Sequence, residues 1–315
     1  MARRRSIAVA TPSRFSPVLF LRLLKALAVL ALVLFIVLAG VGGFLTYRVV
    51  TTKNLVENVT PESAFQSNYE NLNFNDLKGG EHEGWLLVGL KGAPVIVLCP
   101  GYDSNRSDLL SLGTFLRQNY FNVYLFNFEG RKAKRSFSDL GPGETDVLLA
   151  AIGKITAHDG INPNRVGVYG VTTGGFAALA AAEQSPLVKA LVVDNVYEHP
   201  RQAFQAQVTQ ILGRPSYLFR VLSDAEFRIL TYRSKVPPVR QNLAKLQDMP
   251  KLFIAGGDTP TLAEATRSLY GLAPEPKRML VLEYSQSALA SGADMKEYEN
   301  QVLNFFLQNL PLRGD

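Results

Sequence analysis

The stretch Gly170-Val171-Thr172-Thr173-Gly174-Gly175 sets two hydroxyls among glycines. It lies between an apolar run, RVGVYGV (165–171), and an Ala-rich run, TGGFAALAAAEQ (173–184). Glycines at such a junction permit a tight strand-to-helix turn that pushes the middle residue, Thr172, out above a sheet. The helix N-terminus that follows favours the negative charge an attacking hydroxyl develops. Such a hydroxyl needs a base. His199 follows VKALVVDNVY (188–197), at the same sheet edge as Thr172; it reads as a base or as a hinge residue before Pro200. His158 precedes the strand into Thr172 and belongs to the opposite edge. His82, in DLKGGEHEGW, reads as a turn residue. Three scattered histidines and one cysteine, Cys99, give no metal-ligand spacing, so neither metal nor cofactor is expected. Cys99 closes an apolar run and reads as a small packed hydrophobe. Asp258, after KLFIAGG (251–257), and Asp194, near the end of its own run, read as helix or segment caps unless a partner gives them other work.

The elements that must position these residues are short, β-rich apolar runs alternating with helical patterns. VIVLCP (95–100), NVYLFNF (122–128), RVGVYGV, VKALVVDNVY, KLFIAGG and RMLVLEYS (278–285) read as strands. Helical spacing falls at about 106–118, 141–158, 173–184, 261–272 and 294–310. Near-continuous apolar strands separated by helices predict a mostly parallel sheet covered by helices on both faces. Residues 198–248 break this rhythm with QAFQAQVTQILG, YLFRVLSDAEFRILTY and a Pro-Pro turn at 237–238, and read as a helical cap.

Residues 26–47 contain no charge, and 22 residues at ~1.5 Å each cross a ~30 Å hydrocarbon core. This predicts a transmembrane anchor, with 1–25 a basic cytoplasmic segment, 48–65 a linker and 66–315 the folded domain. Arg3, Arg4, Arg5, Arg14, Arg22 and Lys25 precede the run without any acid, so the positive-inside rule predicts a cytoplasmic N-terminus and an extracytoplasmic domain. Cleavage near Ala39-Gly40 would instead make the run a signal peptide, whose apolar core is usually shorter. Asn58-Val59-Thr60 and Asn105-Arg106-Ser107 fit the glycosylation pattern.

The turn around Thr172, in its strand–helix setting, resembles the nucleophile elbow Gly-x-Ser-x-Gly of α/β-hydrolases, with Thr172 at the Ser position. NYENLNFNDLKGGEHEGWLL resembles the family's lead-in strands, VIVLCPGYDSNRSDL its third strand and oxyanion turn, DLGPGETDVLLAAI the helix before the elbow strand and EYENQVLNFFLQNL the last helix. The resemblance spans roughly 66–310 and is nearest the serine aminopeptidase-like and prolyl-oligopeptidase-like branch. It implies an α/β-hydrolase fold. It implies Gly170 and Gly174 as elbow glycines, and backbone donors at Gly101, Tyr102 and Thr173 for an oxyanion. It makes Asp258 the acid, followed by a histidine after RMLVLEYS. That stretch, EYSQSALASGADMKEY, contains none, and His199 is the last histidine of the chain. The turn reads Pro100-Gly101-Tyr102 where the family has His-Gly. A β-branched residue is a steric outlier at positive φ, which predicts a relaxed turn and a misdirected Thr172 hydroxyl.

These departures predict an impaired hydrolase that binds or scaffolds, with an acyl or peptide-like ligand under the cap. The alternatives are a working hydrolase using Thr172 with a base such as His199, and a membrane-complex subunit. The chain is 47% hydrophobic with net charge +6, which excludes a disordered polymer. Seven of its 33 basic residues, and none of its 27 acidic ones, lie in the first 50. The rest is left at a net charge of −1, which removes the case for a nucleic-acid partner. Arg131, Lys132, Lys134 and Arg135 form a basic loop, read as a solvated face or a contact for anionic headgroups.

Overall fold

A computed structural model of the chain describes residues 17–53, 56–64, 68–131, 135–213, 216–232, 239–288 and 293–312. Lys132, Lys134 and the Pro-Pro turn at 237–238 lie outside the described residues. The chain opens with a 34-residue helix, α1 (Pro17–Val50), and a short strand, β1 (Thr51–Lys53). Lead-in strands follow: β2 (Tyr69–Asn71), β3 (Phe74–Asn75), β4 (Glu81–His82) and β5 (Gly84–Leu87). Then come β6 (Val95–Cys99), α2 (Leu110–Gln118), β7 (Asn122–Phe126), β8 (Arg135–Phe137) and α3 (Pro142–Thr156). The centre of the fold is β9 (Val166–Val171), α4 (Thr173–Gln184) and β10 (Val188–Asp194). The cap holds α5 (Pro200–Leu212) and α6 (Tyr217–Leu230); β11 (Lys251–Gly256), α7 (Pro260–Leu272), β12 (Lys277–Leu282) and α8 (Ala293–Asn309) complete the chain.

Eight strands form one sheet in the order β12-β11-β10-β9-β6-β7-β5-β2. The pairings from β12 to β7 are parallel, while β5 and β2 are antiparallel. Side chains alternate across a strand, so β6 feeds two cores at once. Val95, Val97 and Cys99 pack with α3, α4 and the cap; Ile96 and Leu98 pack with α2 and α8. Both faces are apolar and both are covered, as the unbroken apolar runs require.

The anchor helix departs most from the sequence reading. It is long and apolar enough to cross a membrane, but it does not end in a linker. Residues 48–50 are still helical, and β1 pairs antiparallel with β8. Leu45, Val49 and Val50 are buried in the domain core. Thr46 Oγ1 donates to Glu226 Oε2 (3.2 Å) and Ser223 O (3.3 Å) of α6. The Tyr102 hydroxyl donates to Val49 O (3.0 Å), satisfying a carbonyl at the helix end. Small residues allow this approach: a Cβ on Gly42 would sit 3.0 Å from the Glu226 carboxylate.

Three other expectations change. His82 is not a turn residue: it is buried in β4, stacked on Phe74, with Asp76 Oδ2 3.3 Å from Nε2. Asn105 is buried and its side chain accepts from Ser107 N (2.9 Å), so that glycosylation pattern is occupied by a cap. Arg131 is not a free surface cation, since it pairs with Glu81 and Glu83.

The cap helices are held to each other by Phe204 and Phe227, whose rings stack at 4.4 Å with 15° between planes. Both are fully or almost fully buried. Phe227→Ala should cost about 3–5 kcal/mol by the cavity it leaves. The expected readout is an earlier urea midpoint together with new proteolytic cleavage in the cap.

Candidate functional site

The carboxyl ends of the parallel strands converge, as they do for ligand sites in open α/β sheets. Gly101 and Tyr102 follow β6, Thr172 follows β9, Asp194 ends β10, Asp258 follows β11 and Ser285 follows β12. A cavity of about 600 Å³ opens above them. Its lining combines Thr172, Tyr102, Asp258 and Ser285 with Arg48 of α1 and Gln207 and Gln210 of α5.

The elbow is present and tight. Thr172 has φ 46° and ψ −107°, so the relaxed turn expected for a β-branched residue is not what forms. The chain tolerates a strain of about 1–3 kcal/mol because neighbours over-determine the turn. Thr172 N–H donates to Asp194 O (2.8 Å), and Phe176 N–H donates to Thr172 O (2.9 Å). Two glycines are obligatory. A Cβ on Gly170 would lie 2.2 Å from Gly174 O, and one on Gly174 would lie 2.3 Å from Pro100 O. Thr173 begins α4 and is buried.

The Thr172 hydroxyl is directed at the oxyanion turn. Tyr102 N–H donates to its Oγ1 at 2.9 Å, and a Cβ on Gly101 would approach that same oxygen to 2.8 Å. One donor expected to hold a substrate oxyanion is thus engaged by the hydroxyl itself. Among the described residues, no imidazole or carboxylate accepts from Thr172 Oγ1.

Asp258 does not cap α7. Thr259 is the N-cap and makes no side-chain capping bond. Instead the Asp258 carboxylate accepts from Ser285 N–H (2.5 Å) and Ser285 Oγ (2.9 Å). Ser285 therefore occupies the place after β12 where the resemblance calls for a histidine. A serine hydroxyl can donate to the acid, but it has no basic ring nitrogen to take a proton onward. His199 is not brought to the site. It is the N-cap of α5, its Nδ1 accepts from Arg201 N–H (3.1 Å), and it does not line the cavity. Partial burial, aided by the Arg201 charge, holds its pKa below the ordinary value.

Behind the cavity lies a second carboxylate. Asp194 is fully buried; its Oδ2 accepts from Gln286 N–H (2.8 Å) and Tyr298 OH (2.8 Å), and Tyr298 meets the Tyr169 hydroxyl at 2.8 Å. Burial pushes its pKa up to about 7, and the Asp258 charge adds to the rise while the two donors oppose it. Consecutive residues, Ser285 and Gln286, are thus tied to two different aspartates. Cys99 is buried and burial raises its thiol pKa, so it behaves as a packed hydrophobe.

Sequence reasoning missed Ser285, Gln286, Arg48 and the two glutamines. The signal for Ser285 was its position just past the last strand, where only a histidine had been sought. Arg48 fell in the expected linker, because the uncharged apolar run ends at residue 47. No group of three or more His, Cys, Asp or Glu residues among the described ones is placed to hold a metal.

No family model and no curated protein sequence matches the chain. Solved structures do. An esterase from Pyrococcus furiosus aligns at TM-score 0.66 and 18% identity, over 83% of this chain and 98% of its own. An α/β-hydrolase from a Penicillium species gives 0.58 and 16%, over 77% and 99%. A dienelactone hydrolase from Anabaena variabilis gives 0.56 and 16%, over 78% and 99%. The chain has the α/β-hydrolase fold.

Asp194 makes stability pH-dependent with a defined sign. Its folded pKa of about 7 exceeds the ordinary 3.8, so between those values the folded state holds a proton that the unfolded chain releases. Stability from this group therefore falls as pH rises from 3.8 to about 7. Glu144 and Glu183, pushed by burial to about 7 and about 8, slope the same way. Asp194→Asn removes one such slope. The difference in urea midpoint between Asp194→Asn and wild type should grow in the variant's favour across that pH range.

Proposed function

We propose that the protein is a membrane-anchored α/β-hydrolase-like binding protein that has lost hydrolytic chemistry. In this reading α1 is a single-pass anchor, the basic N-terminus is cytoplasmic and the folded domain is extracytoplasmic. The charge asymmetry across the apolar run supports that orientation. The observation that carries the loss of catalysis is the Asp258–Ser285 pair: the acid is kept, but it holds a serine where proton transfer needs an imidazole.

The ligand would sit in the cavity between the elbow and α5. Gln207 and Gln210 offer amides that pair with peptide groups, and Arg48 offers a guanidinium for a carboxylate. This lining supports a peptide-like ligand with a free carboxylate over a purely aliphatic acyl chain.

A second reading is a Thr172-dependent hydrolase, supported by the positive-φ elbow and the intact turn at Tyr102. The two readings separate in one experiment. Full-length wild type in nanodiscs should hydrolyse short aryl esters no faster than Thr172→Ala. The double variant Thr172→Ser with Ser285→His should gain about 10²-fold or more, the scale of a restored general base. Robust wild-type turnover that disappears in Thr172→Ala would overturn the binding-protein reading.

A further inference from the structure

Helix α1 divides by exposure. Every residue from Val18 to Phe35, and on to Val37, is exposed, whereas Leu38 and Ala39 are half-covered and Gly42, Leu45, Thr46, Val49 and Val50 are buried against the domain. The exposed stretch, residues 18–37, spans about 30 Å at ~1.5 Å per residue, the thickness of a hydrocarbon core. Arg22 and Lys25 lie about 6 and 10 Å inside its N-terminal end, from where long basic side chains reach back toward the headgroups. The protein-covered part therefore starts where the bilayer would end.

α6 runs antiparallel to α1 along this covered part. Gly42 lies against Glu226, and four residues further on Thr46 bonds the carbonyl of Ser223. Moving down α1 toward the exposed stretch thus means moving up α6 toward its C-terminus. At equal rise per residue, Ile229 and Leu230 come level with α1 residues 38–39, which is where α1 becomes half-covered. Tyr232 lies in the turn that follows α6. These side chains are apolar or aromatic and open: Ile229 is 76% exposed, Leu230 53% and Tyr232 74%. Arg228 beside them is exposed as well.

An open apolar tip with a tyrosine and an arginine, level with the end of a 30 Å apolar stretch, has the composition of a membrane-interface contact. We propose that the C-terminal tip of α6 and the turn after it, through Ile229, Leu230 and Tyr232, insert into the headgroup–acyl boundary of the bilayer that α1 crosses. The inference rests on α1 as a membrane span. It adds a second point of contact, so the cap is held between helix and lipid, and α5, which supplies Gln207 and Gln210, is fixed through the Phe204–Phe227 stack. A protein partner on the tip would leave unexplained why its level coincides with the top of the lipid-length stretch.

The test uses the full chain in phosphatidylcholine–phosphatidylglycerol nanodiscs. Single reporters are placed by Ile229→Cys, Tyr232→Cys, Leu34→Cys and Tyr120→Cys, each labelled with an environment-sensitive fluorophore. Native Cys99 is buried and stays unlabelled. All four positions are exposed, and Tyr120 precedes β7, at the sheet edge opposite the cavity. Quenching by lipids carrying a shallow spin label should be several-fold stronger at 229 and 232 than at 120, and 34, about 5 Å inside the end of the exposed stretch, should be quenched as well. Quenching at 34 alone, with 229 and 232 no different from 120, would overturn the tip contact and leave the anchor standing. No quenching at 34 would overturn the anchor, and the tip contact with it.

Discussion

Backbone crowding at the carboxyl edge of the sheet governs the rest of the site. The first turn of α4 is jammed between the ends of β9 and β6, so that no Cβ fits at Gly170 or Gly174. That contact forces Thr172 to positive φ and lays its hydroxyl against the Gly101-Tyr102 turn. Tyr102 then carries the constraint outward. Its backbone N–H is spent on Thr172, and its hydroxyl, whose pKa burial raises to about 12, caps α1 through Val49 O. One residue joins the elbow to the anchor helix.

The same edge holds two carboxylates that both bind the loop after β12. Asp258 accepts from Ser285 through both backbone and hydroxyl, and from the Thr259 hydroxyl at 3.2 Å. Asp194 holds the next residue, Gln286, and the hydroxyl of Tyr298. The loop after β12 is thus clamped by two carboxylates. Of the two acids only Asp194 is buried, and leaving it without such donors would cost several kcal/mol.

Helix α1 is part of the domain rather than a tether. Leu45, Val49 and Val50 belong to the same core as β6, α3 and α4, and β1 adds a strand pairing to β8. Arg48 consequently lines the cavity. One helix thus joins a long exposed apolar stretch to the wall of the cavity.

The sequence by itself determined the elements, the mostly parallel sheet and the elbow, because strand and helix periods and the spacing of glycines are local properties. It also determined that no histidine follows His199, and that the basic charge belongs to the N-terminal segment. It did not reveal what the acid would hold, where the Thr172 hydroxyl would point, that Asn105 and His82 would be buried, or that α1 would enter the core. Those outcomes rest on pairs far apart in the chain: Ser285 with Asp258 across 27 positions, Gln286 with Asp194 across 92, Thr46 with Ser223 across 177. Local patterns fix which way a side chain faces; only the packed tertiary structure decides which partner it meets, because burial leaves each polar group to find its donor or acceptor among neighbours the sequence does not list together.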